Sequence, residues 1–502
     1  MTDTTNRQKT IVQQTLVQRA LSGHAAIGLL AGALIYIICL TGSMVVFHDR
    51  WQRWEEPSVA ESGPRLSPAA AQRAMIAAIA RDRGKAPTTH LYIRMPTQDL
   101  PRAVVTTDHG AWYVDGEGRI VGREGHSWTE FVIALHEYLT LPVTLGLILV
   151  GVIGVALAAV CVTGIIAHPR IFRDAFRLRT RHGSQLARAD WHNRLGVWTL
   201  PFALALAGTG AIIGLGSVGT TMLAKAYTGG DLGKVYAPVF GAEPAADPAP
   251  AALPDIAAAL TAMARRVPFA RPTYVIAHDP GTRGQHVQVS AEHPRRLIYG
   301  ETYAFDAAGN WHGPVGLADG AIGQQAAAST YNLHFGNYGG FFVELAYVLF
   351  GLALTGVTAT GTTLWLRKRE RRGLRSDRLA AGWSVVVWGT PLAIVAAFWV
   401  RMVAGPDAPL AAVFWALLAA GLLIAIASPR FVRGAALQMH LCWAVAATSL
   451  WHMAAFHDSA GEVLALDLVL LAAASVPLAL RFRGTIAGWL PGRELRASPN
   501  RT

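Results

Sequence analysis

The chain has 502 residues, 52% of them hydrophobic and 15% charged, whereas an ordinary soluble domain carries about 25% charged residues. That balance excludes a soluble globular enzyme and marks a membrane protein. The formal net charge of +12 does not mark a nucleic-acid binder, because the arginines gather at the edges of apolar runs and not on a folded basic face.

Apolar runs of roughly 20 residues, long enough to cross a bilayer, fall near 23–47, 130–167, 193–217, 335–366, 383–402, 409–427, 434–455 and 462–480. The chain therefore reads as an α-helical integral membrane protein of about eight spans. Residues 1–47 give a short N-terminus and the first span, expected to stay as an anchor because no short apolar core with a small-residue cleavage site precedes it. Residues 48–128 form a first external module: Ser67-Pro68 starts a helix, His90–Met95 and Ala103–Thr107 read as strands, and AWYVDGEGRIVG as a hairpin turning on Asp115 to Gly118. Residues 129–217 hold spans two and three around a basic loop. Residues 218–330 repeat the external plan, with a helix from Pro254-Asp255, strands RPTYVIAH and QHVQVSAEH, and a hairpin turning at Asp306 to Gly309. Residues 331–379 hold span four and a second basic loop, 380–480 an added block of four spans, and 481–502 a tail.

Arginine placement sets the orientation, since short cytoplasmic loops collect Lys and Arg. Arg170, Arg173, Arg177, Arg179, Arg181, Arg188 and Arg194 lie in one loop and RKRERRGLRSDR in another. Both loops and both termini are expected inside, and the two modules outside.

The histidines repeat with the spans. His24 is followed by Gly28 and Thr41-Gly42, and His192 by Gly196 and Thr209-Gly210 at the same intervals. His136 precedes Thr163-Gly164, and His334 precedes Thr360-Gly361, at nearly equal intervals. His24 and His192 fall at the inner face and His136 and His334 at the outer face. The interval from histidine to threonine along span one covers about 25 Å of helix, so the two layers cannot share one ligand set. Two haems, each between two histidines, fit this arrangement, because bundles build such sites from side chains on facing helices. Gly28 and Gly196 would leave room for the macrocycle. The three cysteines, Cys39, Cys161 and Cys442, lie within spans and offer no Cys-x-x-Cys-His attachment, so the haem would be b-type. A single histidine at a helix end can equally be an interfacial residue; four in matched pairs favour ligands. His168 has no histidine counterpart in the repeat and serves as a control. The Thr-Gly steps read as packing sites. The run AGTGAIIGLG lies inside a span and follows no strand, so it is no nucleotide fingerprint.

The doubled unit, with His-x3-Gly, Thr-Gly near a span end, an Asp-x-x-Gly hairpin outside, and the closing span LHFGNYGGFFVELAYVLFGLALTGVTATGTTLWLRKR, resembles the PepSY-associated transmembrane helix family over about residues 15–370. The resemblance implies two PepSY-like modules, a bacterial inner membrane, and iron acquisition by reduction of periplasmic ferric siderophore. Members with a fused flavin and nicotinamide domain differ from this chain, so the expected electron donor is separate, a quinol or a cytoplasmic flavoprotein. Aromatic and cationic groups near the outer histidines make the expected docking surface: Arg295, Arg296, Tyr299, Tyr303, Trp311 and His312 in the second module, and Tyr331 and Tyr338 flanking His334. The rival readings are a siderophore or metal permease and a non-enzymatic binding or regulatory protein. In the tail block, Trp443, Trp451, His440, His452 and His457 read as lipid-facing aromatics and interfacial histidines.

Overall fold

The computed structural model describes residues 2–168, 170–173, 185–240, 246–293, 297, 301–315, 322–459 and 461–489. It divides into two units, residues 1–375 and residues 376–502.

In the first unit the helices follow the apolar runs but break where the sequence resists a straight helix. Helix α1 (Thr2–Val45) carries His24 and α2 (His48–Glu55) lies just beyond it. After α3 (Pro68–Arg81) and strands β1 (His90–Arg94), β2 (Ala103–Thr107), β3 (Gly110–Val114) and β4 (Ile120–Arg123), the expected second span is two helices, α4 (Ser127–Tyr138) and α5 (Val143–Ala167). Leu139 and Thr140 at the break have φ of 53° and 55°, and Pro142 follows, so His136 sits on the short helix before the span. The third span is α6 (Gln185–Trp198) and α7 (Leu200–Gly214), bent by 64° just before Pro201. Then come α8 (Gly216–Tyr227), α9 (Leu232–Phe240), α10 (Ile256–Arg266), strands β5 (Arg271–His278), β6 (His286–Glu292), β7 (Glu301–Phe305) and β8 (Trp311–Val315), and α11 (Ile322–Phe335) before α12 (Phe341–Arg371). The gap before α12 contains Gly336, Gly339 and Gly340, all at positive φ, so His334 likewise precedes its span.

The strands of the two expected modules form one eight-stranded antiparallel sheet, in the order β4-β3-β2-β1-β5-β6-β7-β8. The halves join where β1 pairs with β5, from His90 opposite His278 to Arg94 opposite Tyr274. Helices α3 and α10 cover one face over a shared core that includes Met75, Leu91, Ile93, Ile256, Met263, Val275, Val289 and Phe305. Gln72 of α3 joins them, its Oε1 accepting from the Ile256 amide at 2.8 Å and its Nε2 donating to the Pro254 carbonyl at 3.1 Å. Each half also closes on its own helix. Ser67 and Asp255 cap α3 and α10 by accepting from the amides of Ala70 and Ala258, and the tip glycine of each hairpin, Gly118 and Gly309, presses on the first turn so capped. The two expected modules thus contribute four strands each to one sheet, joined edge to edge at β1 and β5.

In the bundle, α1 packs on α5 and α12, and α5 packs on α7. Glycines allow the closest approaches: a Cβ on Gly151 would lie 3.0 Å from the Gly214 backbone, and one on Gly351 would lie 2.5 Å from Ser43 Oγ. Arg50 of α2 reaches Glu344 in the first turn of α12 at 2.6 Å and Asp99 of the β1–β2 loop at 3.2 Å, tying sheet to bundle.

The second unit consists of α13 (Asp377–Ser384), a π-helical turn (Val385–Gly389), α14 (Thr390–Ala404), α15 (Leu410–Ala427), α16 (Gly434–Ala455) and α17 (Gly461–Trp489). Among the described residues, six helices are long and apolar enough to cross a membrane, and the bent α6–α7 pair makes a seventh. The eighth expected run, 434–455, forms the 22-residue helix α16, whose Gln, His, Ser and Thr residues make it less apolar than the other seven.

Candidate functional site

Four histidines on four helices meet as two pairs. His24 of α1 and His192 of α6 have ring centroids 6.4 Å apart with planes at 82°. His136 of α4 and His334 of α11 have centroids 6.2 Å apart with planes at 25°. Two imidazoles that bind one metal ion from opposite sides, each through a bond of about 2 Å, place their centres at about this separation.

A Thr-Gly step on another helix holds each ring. His24 Nδ1 lies 3.0 Å from the Val160 carbonyl and 3.5 Å from Thr163 Oγ1. His192 Nδ1 lies 3.0 Å from the Val357 carbonyl and 3.2 Å from Thr360 Oγ1. For His136 the acceptor is the Ile38 carbonyl at 3.0 Å, three residues before Thr41. For His334, Thr209 Oγ1 stands 3.0 Å from Nδ1, and the Leu206 carbonyl is a further partner. A carbonyl can only accept, so Nδ1 carries the proton and Nε2 keeps its lone pair, the tautomer a metal ligand needs. The threonine hydroxyls donate backward, Thr163 to Ala159, Thr209 to Ala205 and Thr360 to Gly356, which leaves their lone pairs to face the imidazoles.

The glycine of each step makes the space. A Cβ on Gly42 would fall 2.7 Å from His136 Cε1, on Gly210 2.8 Å from His334 Cε1, on Gly361 3.1 Å from His192 Cε1, and on Gly164 3.3 Å from His24 Cε1. The sequence reading took these steps for packing sites, and the structure makes them the holders of the histidines. The repeated spacing was the signal, but the partner of each step lies on a different helix and no interval within one span reveals it.

Each pair borders an apolar cavity. The cavity at His24 and His192, about 450 Å³, is lined also by Gly28, Gly196, Leu200, Trp365 and Lys368. A Cβ on Gly28 or Gly196 would meet nothing within 4 Å, so both glycines leave open space. His168, the control, is exposed at the wall of this cavity, and Trp365, its counterpart in the repeat, lines it as well. The cavity at His136 and His334, about 350 Å³, lies toward the sheet and takes in Glu137, Phe202, Tyr331 and Tyr347. Ile35, Leu157 and Leu354 line both, so one layer of side chains separates them.

The donor set and the space agree with haem b. Each site offers two imidazoles facing open apolar space, a donor set that would suit the iron of a flat chelator such as a porphyrin. His24, His192, His136 and His334 would hold the iron, and Gly28 and Gly196 would flank the macrocycle.

The described members of the expected docking set lie in different settings. Tyr303 is 4% exposed; its hydroxyl bonds Glu301 and its ring packs on Trp311 at 5.1 Å, so both rings belong to the core under the sheet. Alternation along β7 and β8 turns them inward. His312 is exposed and stands 3.9 Å from Asp306 of the hairpin tip. Tyr338 bonds Tyr347 at 3.0 Å and Tyr347 bonds the Leu333 carbonyl at 2.7 Å, which fixes the break before α12. Tyr331 remains, 44% exposed and lining the sheet-side cavity. Arg295, Arg296 and Tyr299 lie outside the described residues.

A family model described as the PepSY-associated TM region matches residues 21–368 of this chain. An uncharacterised protein of Pseudomonas aeruginosa is 38% identical over 101 residues, which cover 20% of this chain and 26% of that relative. The shared stretch thus spans about a quarter of the relative's length.

Proposed function

The chain belongs to the PepSY-associated TM family, and on that footing we propose that it is a b-type dihaem oxidoreductase of the bacterial inner membrane that carries electrons outward to reduce a ferric siderophore. The observation that carries this reading is the doubled histidine pair, each ring held through Nδ1 by the carbonyl three residues before a Thr-Gly step and each pair set at a two-ligand separation.

Bound haem would supply an iron that gains and loses single electrons. The chain's own residues would do the rest. His24 and His192 hold the group on the side away from the sheet, and His136 and His334 hold the one beneath it. Ile35, Leu157 and Leu354 bridge the two cavities and keep water out. A separate donor, quinol or flavoprotein, gives up the electrons at the sheet-distal pair, where the arginine-rich loops put the cytoplasm. A ferric chelate takes one electron per iron beside Tyr331 at the sheet-side cavity. Reduction releases the metal because hard chelate oxygens suit Fe(III) better than the softer Fe(II).

The test is a visible spectrum of the purified full-length protein before and after dithionite. A b-type reduced-minus-oxidised difference spectrum supports the proposal, followed by its reoxidation on adding a ferric chelate. Protein that folds and inserts in haem-replete cells yet shows no haem absorbance would overturn it in favour of a permease or a binding protein.

A further inference from the structure

Helices α16 and α17 of the second unit bury two ionisable side chains that the haem reading does not use. His452 is 0% and Asp467 1% exposed, and His452 Nδ1 lies 2.8 Å from Asp467 Oδ2. Asp467 falls within Gly461–Arg481, a stretch apolar enough to cross a membrane. Burial sets His452 apart from the other histidines of the block. His440 and His457 are exposed and Trp443 is 54% exposed, whereas His452 is sealed. Ionisable groups at membrane depth are costly and persist where they handle ions or protons. Leucine at both positions would hold two apolar helices together at lower cost.

The surroundings suit a proton. His452 stands three residues before the end of α16 and Asp467 six after the start of α17, so the pair lies about 5–9 Å below the loop that joins them. Phe456 and Trp451 cover the imidazole, with centroids at 4.8 and 6.3 Å. Trp399 of α14 packs on Trp451 with centroids 4.6 Å apart and planes tilted by 51°, and donates its indole N–H to Thr448 at 2.8 Å. One turn before His452, Ser449 is 0% exposed and its hydroxyl has no hydrogen-bond partner. Helix α14 packs against α16. Buried hydroxyls without partners are where an internal water binds. Among residues whose side chains are described, the other titratable or charged groups on the elements packed against α16 are Asp377 and Arg378 of α13, Arg401 of α14, and Glu462 and Arg481 of α17. Arg401 is half-buried and the other four are exposed. On α16 itself, His440 is exposed, and Cys442 is buried about 15 Å along the helix from His452.

The geometry points to a proton-exchange site in the tail block, in which His452 and Asp467 share one proton taken from the aqueous side beyond the α16–α17 loop. Uptake breaks an O–H bond of hydronium and forms the O–H bond of a neutral Asp467 carboxyl, which then donates to the His452 imidazole; release reverses it, and no electron moves. The inference stands apart from the haem reading.

Infrared difference spectra of the full-length protein in nanodiscs, recorded between mildly acidic and mildly alkaline buffer, test it. A protonated-carboxyl band that grows on acidification is expected. Asp467→Asn should abolish it, and His452→Gln should move its midpoint by about one pH unit, a tenfold change in proton affinity, with helix content unchanged. A band that survives Asp467→Asn, or no titrating band at all, would make the pair a fixed clasp between helices. Should Asp467→Asn fail to fold, His452→Gln decides: a shifted midpoint supports proton exchange, and an unshifted one overturns it.

Discussion

Within each site the controlling unit is a histidine together with the Thr-Gly step opposite it, and the two can be separated by substitution. His24→Ala and His192→Ala should each remove the same haem component, while His136→Ala and His334→Ala remove the other; two different components lost within one pair would break the pairing. Outer-shell partners of histidine ligands typically contribute 10–100-fold in affinity or activity. Thr360→Val should therefore weaken the sheet-distal site by about that factor and shift its midpoint potential, while Thr360→Ser restores both. An effect equal in Ser and Val would reduce the hydroxyl to packing. The ring planes add a spectroscopic expectation. If haem iron is held between them, near-parallel imidazoles at 25° would split its π-orbitals, and nearly perpendicular ones at 82° would leave them close in energy. Electron paramagnetic resonance of the oxidised protein should then show two distinct low-spin signals. The more axial one, with the larger leading g value, should be lost on His24→Ala. Coincident signals would contradict the ring geometry.

At the level of the element, the sheet depends on hairpin tips and capped helix starts. Gly118 has φ of +86°, and a Cβ there would lie 2.2 Å from the Ala70 carbonyl oxygen, while a Cβ on Gly122 meets nothing within 4 Å. Gly118→Ala should cost at least about 1–3 kcal/mol from backbone strain and Gly122→Ala almost nothing; equal losses in thermal midpoint would show that the tip does not press on α3. The carboxylates near these turns also set a pH response. Burial pushes the Asp82, Asp115 and Asp306 carboxyls up, but hydrogen bonds outweigh it: from Lys85 and Thr107 to Asp82, from Arg119 and Glu117 to Asp115, and from Asn310 and Ala308 to Asp306. Each ends below its ordinary value. Their stabilising contribution is therefore present above the usual carboxylate range and is lost as pH falls below about 4. The thermal midpoint of the sheet, followed by tryptophan fluorescence, should drop there, and the drop should shrink when the three are replaced by Asn. An unchanged acid profile in that variant would assign the drop to other groups.

For the whole molecule, duplication supplies half-sites and association completes them. Each half of the first unit holds its own histidines: α1 with α4 and α5, and α6 and α7 with α11 and α12. Each histidine pair then takes one ring from either half, as the sheet does at β1 and β5. All four histidines lie within residues 1–375, so the chain truncated after Arg378 should retain both haem components. Loss of either from an inserted, folded product would mean that the tail block supplies a ligand.

The sequence by itself determined the membrane class, most spans, the strands and hairpin turns, and the repeat of histidine, glycine and threonine. These are local signals, carried by runs, by alternation and by fixed intervals. It did not reveal that the modules share one sheet, because a strand edge carries no mark of its partner. Nor did it reveal that Tyr303 and Trp311 face inward, that Leu139 to Pro142 and the glycines before α12 interrupt two spans, or that His452 is sealed against Asp467. Which Thr-Gly step holds which imidazole was decided only by packing. The interval along one helix fixes the depth of a residue, but its neighbour at that depth is set by how the other helices lie against it.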